Sequence, residues 1–359
     1  MKLVKKIIAL VLGVLMAFSF TGCIHKKGEI AVKINGVEFT SAYYACALIN
    51  AKTEAQNKVY ETLTDEEKSS GAVDYSKKKI DKKPFDEWVK DKAIENLKTI
   101  AAYKLLCKEN KLELTEEEAN NANMYASYYW SSYGYSAYFE PNGVSQATYA
   151  DYMKDTYYSE KYFEFLYGEK GEKAIEAGTV KTKIYDNFII ANVINASYGS
   201  EDTDADKKLL KEKLEGYVTA LKKGTKTFEA VYKEYNGNQA EVPTENEEKG
   251  PKDKYATILG AEGTSYANDN YKTVKDMAVG EVKLIELEDK SGFVLAVKQD
   301  ITTDDYYLEN LDMTARHLIA DEEYKKTIED YAKKLEPKVS KYAINQFKVG
   351  NIVEPNYGY

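Results

Sequence analysis

The chain has 359 residues, of which 59 are acidic and 50 basic, for a formal charge of −9 at neutral pH. With no basic surplus to neutralise phosphates, this composition argues against a nucleic-acid partner, and two histidines with three cysteines supply no recognisable zinc constellation. The length is enough for two or more domains around a substantial core.

At the start, Lys2, Lys5 and Lys6 precede an apolar run from Ile7 to Phe20. That run is too short for a comfortable membrane span of ~20 residues, so residues 1–22 read as a secretory signal. Phe20-Thr21-Gly22-Cys23 resembles the lipobox of bacterial lipoproteins, with Phe20 standing where leucine is usual. The resemblance implies that Cys23 becomes a lipidated N-terminus and anchors the chain outside the cytoplasm. Removing the three lysines takes the charge from −9 to −12. Residues 23–29 then form a tether, and Ile24 to Glu29 can span roughly 20 Å, so the folded body is expected close to the lipid.

Ile30 to Phe39 reads as a short strand pair around Asn35-Gly36, a strong hairpin signal, and Thr40 is placed to cap a following helix. From Pro84, the spacing of Ile94, Leu97, Ala101 and Leu105 predicts a long helix to about Glu109. Cys46 and Cys107 fall on helical patterns. Oxidising surroundings would allow them to pair, but lone cysteines on such faces behave as small buried hydrophobes, and unpaired burial is the expectation. Thr115 to Glu118 is a capping box that starts the next helix. Between Tyr125 and Tyr167 stand 12 tyrosines, interrupted by Pro141-Asn142-Gly143. Residues 30–180 therefore read as mostly helical.

The character changes near Lys183. Asn187 to Ala196 is rich in β-branched residues and reads as a buried strand. A helix follows with Leu210, Leu214, Tyr217 and Leu221 on one face and Gly224 after its end, then a shorter one from Phe228 to Tyr235. After the polar loop Asn236 to Lys254 come a strand, Tyr255 to Gly260, a short helix near Tyr271 to Met277, and two strands, Val282 to Leu287 and Phe293 to Val297. Residues 183–300 thus form a compact domain. Helix returns over 305–345, with Leu308, Leu311, Ala315 and Leu318, then Tyr324, Ile328 and Tyr331 in register before Pro337, and residues 346–359 form a tail.

In this order the segments resemble the extracytoplasmic foldases of the PrsA and SurA type. The pieces that carry the resemblance are AVKINGVEFTSAYY from Ala31, CKENKLELTEEE from Cys107, LKKGTKTFEAVYKEY from Leu221 and MAVGEVKLIELEDKSGFVLAVKQ from Met277. The resemblance implies an α+β fold: a mainly helical chaperone module built from both chain ends, with a parvulin-like α/β domain inserted between them. It also implies prolyl isomerase chemistry, in which an apolar pocket holds the proline ring and a polar cluster, normally anchored by two histidines, surrounds the imide. Aligned on the first and last strands, those places hold Asn192 and Val294, while Tyr271 and Met277 line the expected pocket. With both histidines replaced, isomerase activity is expected to be weak or absent, and no cofactor or metal is implied. Ala315-Arg316-His317-Leu318 imitates the start of a parvulin domain, but only 40 residues follow Ile319, so His317 is read as an ordinary helix residue.

The tyrosines in helical register, such as Tyr149 and Tyr152, are expected to pack a core. Tyr128, Tyr129, Trp130, Tyr133, Tyr135 and Tyr138 come too densely for one helical face to hide, and are expected to line a surface that binds unfolded exported polypeptides. An active isomerase is the first alternative. A solute-binding or structural surface lipoprotein is the second, disfavoured because a two-lobed receptor would alternate strands and helices regularly.

Overall fold

The computed structural model describes residues 28–69, 73–237 and 250–353, so the signal segment, Cys23 and the end of the tail lie outside the described residues. The chain divides into two units: one from residues up to 165 together with those from 323 onward, the other from residues 166–322. The fold is α+β.

The first unit begins with strands β1 (Ile30–Ile34) and β2 (Val37–Thr40), paired antiparallel with Ile34 opposite Val37. Asn35 and Gly36 between them have φ of 46° and 94°. Two consecutive positive φ values are what a two-residue hairpin of matching twist demands, and asparagine and glycine meet that demand at least cost. The Thr40 side chain accepts a hydrogen bond from the Tyr43 amide and starts helix α1 (Ser41–Glu61). Every residue from Ser41 to Ile49 is buried, so the first half of α1 is covered on all sides. Helix α2 (Phe85–Glu109) packs beside it, followed by α3 (Glu116–Ser132) and α4 (Gln146–Tyr167). The capping box of α3 is present: the Glu118 amide donates to Thr115 Oγ1 at 3.2 Å, and the Thr115 amide donates to Glu118 Oε2 at 2.6 Å. Cys46 and Cys107 are both buried and unpaired.

A polar knot lies inside this helical packing. Tyr43 donates its hydroxyl to Asp155 Oδ2 at 2.7 Å, and the Lys104 ammonium reaches both Asp155 oxygens at 2.8 and 2.9 Å. One carboxylate thereby ties α1, α2 and α4 together.

The second unit holds α5 (Ala177–Asn187), β3 (Phe188–Ser197), α6 (Asp204–Lys222), α7 (Phe228–Asn236), β4 (Ala256–Gly260), α8 (Tyr271–Lys275), β5 (Val282–Glu286) and β6 (Gly292–Gln299). Its sheet has the order β4-β3-β6-β5 and is antiparallel throughout, so this unit is α+β rather than the α/β domain expected from the sequence. Alternate residues serve opposite faces. Ile194, Ala196, Phe293 and Leu295 pack with Leu214, Tyr217 and Val231 of α6 and α7, while Ile189, Ala191, Val294 and Ala296 pack with Tyr271, Val274 and Met277. A Cβ at Gly292 would stand 2.1 Å from the Ala196 carbonyl oxygen, so only glycine lets the ends of β3 and β6 approach this closely.

The last long helix, α9 (Asp305–Lys333), is divided between the units rather than belonging wholly to the helical one. Its first half pairs with α5, where Leu311 and Ala315 pack on Val180, Ile184 and Phe188. Arg316, the only arginine in the chain, is 2% exposed. It forks onto Asp312 at 2.7 and 3.2 Å and donates to the carbonyls of Tyr167 and Ile175 at 2.9 and 3.1 Å. His317 lies on the same helix, its Nδ1 2.7 Å from Asp321 Oδ1 one turn on. In the first unit, Tyr324 from the second half stacks on Tyr103 and meets Phe163 edge-on. The chain then adds β7 (Pro337–Val339), antiparallel to β1 with Val339 opposite Val32, which completes the order β2-β1-β7.

Beyond β7, the closing segment is held by side chains that read its backbone. Buried Lys52 donates to the Ile352 carbonyl at 3.1 Å. The Asn142 amide donates to the Val353 carbonyl at 2.9 Å and accepts from its N–H at 3.1 Å. Asn142 stands in the break expected at Pro141 to Gly143, where Gly143 has a φ of 81°.

Candidate functional site

Helix α3 shows why the tyrosine run does not act as one surface. Ala122, Ala126 and Trp130 are spaced by four residues and form its buried stripe. On the other side Met124, Tyr125 and Tyr128 are 56%, 45% and 51% exposed, and Tyr133, which ends the helix, is 61% exposed. Of the six residues expected to line the surface, Tyr128 and Tyr133 are therefore exposed, Tyr129 and Tyr135 half-buried, and Trp130 and Tyr138 buried. The correction has a plain cause. Trp130 completes the alanine stripe, and Tyr138 sits on the turn Ser136–Phe139, where its ring lies 4.7 Å from Phe139 and 5.1 Å from Tyr135.

The exposed rings rest on the buried ones. Tyr128 meets Tyr133 edge-on at 5.4 Å, Tyr129 stacks on Tyr135 at 5.5 Å, and Tyr135 meets Tyr149 edge-on at 5.7 Å. Phe139 and Tyr149, 4.9 Å apart, then lead to Trp130 at about 6 Å, inside the unit. Tilted and edge-on rings at these separations attract through their quadrupoles beyond simple burial. From Ala119 to Phe139 there is no charged side chain. The Tyr133 phenol beside it holds Tyr128 above the ordinary tyrosine range. Met124 and Tyr125 were missed from the sequence, although both stand within four residues of Tyr128 and so share its helical face.

The expected isomerase pocket is only partly assembled. Tyr271, Met277 and Val294 share one apolar cluster, edged by half-buried Val193, Ile285 and Leu287. The Tyr271 hydroxyl is used to bind the Asp186 carbonyl at 2.6 Å. Asn192 does not join them. It shares the opposite face of β3 with Ile194, where it donates to Asp253 Oδ2 at 2.7 Å and accepts from Gln299. Pleating explains the error, because a one-residue offset along a strand moves a side chain to the reverse of the sheet. The β3 residues on the pocket side are Ala191, Val193 and Asn195, with Asn195 directly opposite Val294. Tyr271, Met277 and Val294 are thus brought together, while the Asn192 amide ties β3 and β6 to the 250–255 segment.

No helix among the described residues is long and apolar enough to cross a membrane. No family model matches the chain, and no curated protein matches it. Among solved structures, the chain is similar to the foldase protein PrsA of Lactococcus lactis, with 13% identity and a TM-score of 0.38 over 88% of this chain and 97% of that one. It is also similar to PrsA of Bacillus subtilis, with 14% identity and a TM-score of 0.33 over 68% and 83% of the two chains. Foldase protein PrsA of Streptococcus pneumoniae stands beside them, with 10% identity and a TM-score of 0.39 over 71% and 88%.

Proposed function

We propose that this protein is an extracytoplasmic chaperone of the foldase type, anchored to the membrane through a lipid on Cys23, which holds unfolded exported polypeptides against the outer face of α3. The observation that carries the reading is the group Met124, Tyr125, Tyr128 and Tyr133, exposed within a run free of charged side chains and backed by packed rings. Rigid aromatic side chains lose little entropy when they bind, and each joins an apolar face to a polar tip, so they accept segments of varied sequence. The tether of residues 23–29 would keep this surface near the membrane where exported chains emerge.

Isomerase activity is weak or absent in this reading. The convergence of Tyr271, Met277 and Val294 favours a pocket able to receive an apolar ring, but Asn192 lies across the sheet from it. The test compares aggregation of a proline-free client with and without the wild-type chain and the Tyr128→Ser/Tyr133→Ser variant. The wild type is expected to suppress aggregation and the variant to lose most of that effect while unfolding at the same denaturant concentration. Full suppression by the variant would overturn the assignment of the surface. Strong acceleration of a proline-limited refolding reaction would instead support the isomerase reading.

A further inference from the structure

Some aromatic rings elsewhere in this chain are covered by its own lysines, although exposed Tyr266 and Tyr342 are not among them. In the first unit Lys58 sits 5.9 Å from the Trp88 ring centroid, Lys68 5.3 Å from Tyr60 and Lys104 5.9 Å from Tyr158. The second unit repeats the pattern, with Lys213 5.3 Å from Tyr235. These separations suit attraction between an ammonium and the negative face of the ring. Among the described residues no lysine stands over Tyr125, Tyr128 or Tyr133, although all three are exposed.

The charge around these rings points the same way. The uncharged run from Ala119 to Phe139 is bounded in sequence by Glu116 to Glu118 and by Glu140, all acidic. Exposed Glu117 precedes Met124 by seven residues, so it lies on the same helical face about 10 Å away along the axis. The whole chain carries −9. An incoming cation therefore meets open ring faces on a helix that carries carboxylates and no basic residue; Glu117 lies about 16 Å along the axis from Tyr128, and Lys161 pairs with Glu118 at 2.9 Å.

Resting on the chaperone reading, we infer that this surface selects unfolded segments carrying arginine or lysine, whose cationic groups cover the rings that the chain's own lysines leave open. Arginine is the better ligand, because its planar guanidinium is weakly hydrated and stacks on aromatic faces.

Two dye-labelled unstructured peptides test this, identical except that arginine in one is replaced by uncharged citrulline in the other. Fluorescence anisotropy is read for the full chain and for Tyr128→Leu/Tyr133→Leu, which keeps apolar area but removes the ring faces. The arginine peptide is expected to bind more tightly, by about twofold to fivefold for each ring engaged. In the leucine variant that preference should fall, and in about 0.5 M salt vanish, while the citrulline peptide still binds. In the wild type part of the preference should persist in about 0.5 M salt, where attraction to the distant net charge is screened. Equal affinity for the two peptides in the wild type overturns the inference, as does a preference that survives the leucine substitutions in about 0.5 M salt, since the rings then do not supply it. Binding of neither peptide refutes the chaperone reading itself. Ring-dependent binding to anionic vesicles without peptide binding would assign the surface to a membrane and overturn both.

Discussion

Asp155 provides the sharpest test of how the first unit is held together. Its carboxylate is 2.8 Å from the Lys104 ammonium, and at an effective dielectric constant of about 20 that separation is worth ~6 kcal/mol of gross attraction. Taking a carboxylate and an ammonium from water costs several kcal/mol each, so the intact pair contributes little net stability. Removing one partner is another matter. Lys104→Met leaves the Asp155 charge, 6% exposed, with only the Tyr43 hydroxyl, and should cost about 3–5 kcal/mol. In Asp155→Ala, the Lys104 side chain is 32% exposed and can turn toward water, so the loss should be smaller, about 2–4 kcal/mol, and much of it comes from the orphaned Tyr43 hydroxyl. Tyr43→Phe leaves the ion pair whole and should cost only about 1–2 kcal/mol. Both tryptophans of the chain, Trp88 and Trp130, lie in this unit, so tryptophan fluorescence during urea unfolding reports on it alone. The expected order of loss is Lys104→Met, then Asp155→Ala, then Tyr43→Phe. If Asp155→Ala changes stability by less than about 1 kcal/mol, or Tyr43→Phe is the most damaging, the carboxylate does not organise the three helices.

The buried tyrosines predict an alkaline limit. Burial and the Asp155 carboxylate hold Tyr43 far above the ordinary range, and burial pushes Tyr152 up to about 12 and raises Tyr324. Their folded pKa values lie above the unfolded value of ~10, so their stabilisation is full below pH ~10 and declines as the unfolded chain sheds protons that the folded one keeps. Each contributes a loss of about 1.4 kcal/mol per pH unit, ending near pH 12 for Tyr152. Constant urea stability between pH ~9 and ~11 would contradict this. In the second unit, Arg316→Lys keeps the charge but not the fork, and should leave the Tyr167 or Ile175 carbonyl unpaired at about 1–3 kcal/mol. Hydrogen exchange should quicken over residues 166–176, and no change there would mean that Arg316 does not clamp that segment.

Local signals in the sequence were read correctly where the cause is local. The Asn35-Gly36 hairpin, the Thr40 cap and the Thr115 box each depend on residues within three positions of one another, and each formed as expected. Strand β7 depends on no such signal. It has three residues and pairs with β1 across some 300 positions, and Pro337 reads as a helix stop while also fitting the first place of a sheet-edge strand. Helix α5 was missed for a related reason, since its buried residues are only Val180 and Ile184, which acquire meaning against Leu311 and Ala315. The sharing of α9 between units was hidden as well, because helical periodicity continues unbroken through the point where its partners change.

The site was half legible, and the half that failed shows what periodicity must be combined with. Tyrosine density marked the region but not the face. The alanines at 122 and 126 select the face, because the stripe they form lets α3 approach its neighbours and carries Trp130 inward with them. Once that stripe is fixed, Met124, Tyr125 and Tyr128 must point elsewhere, with no charged residue among them to explain their exposure. Asn192 failed through the same kind of ambiguity in a strand, where one residue of offset decides which sheet face a side chain serves. Its buried amide bonds to Asp253 and Gln299, and these hydrogen bonds offset the cost of its desolvation. Asn195, directly opposite Val294, is the β3 asparagine that stands on the side of the sheet facing Tyr271 and Met277.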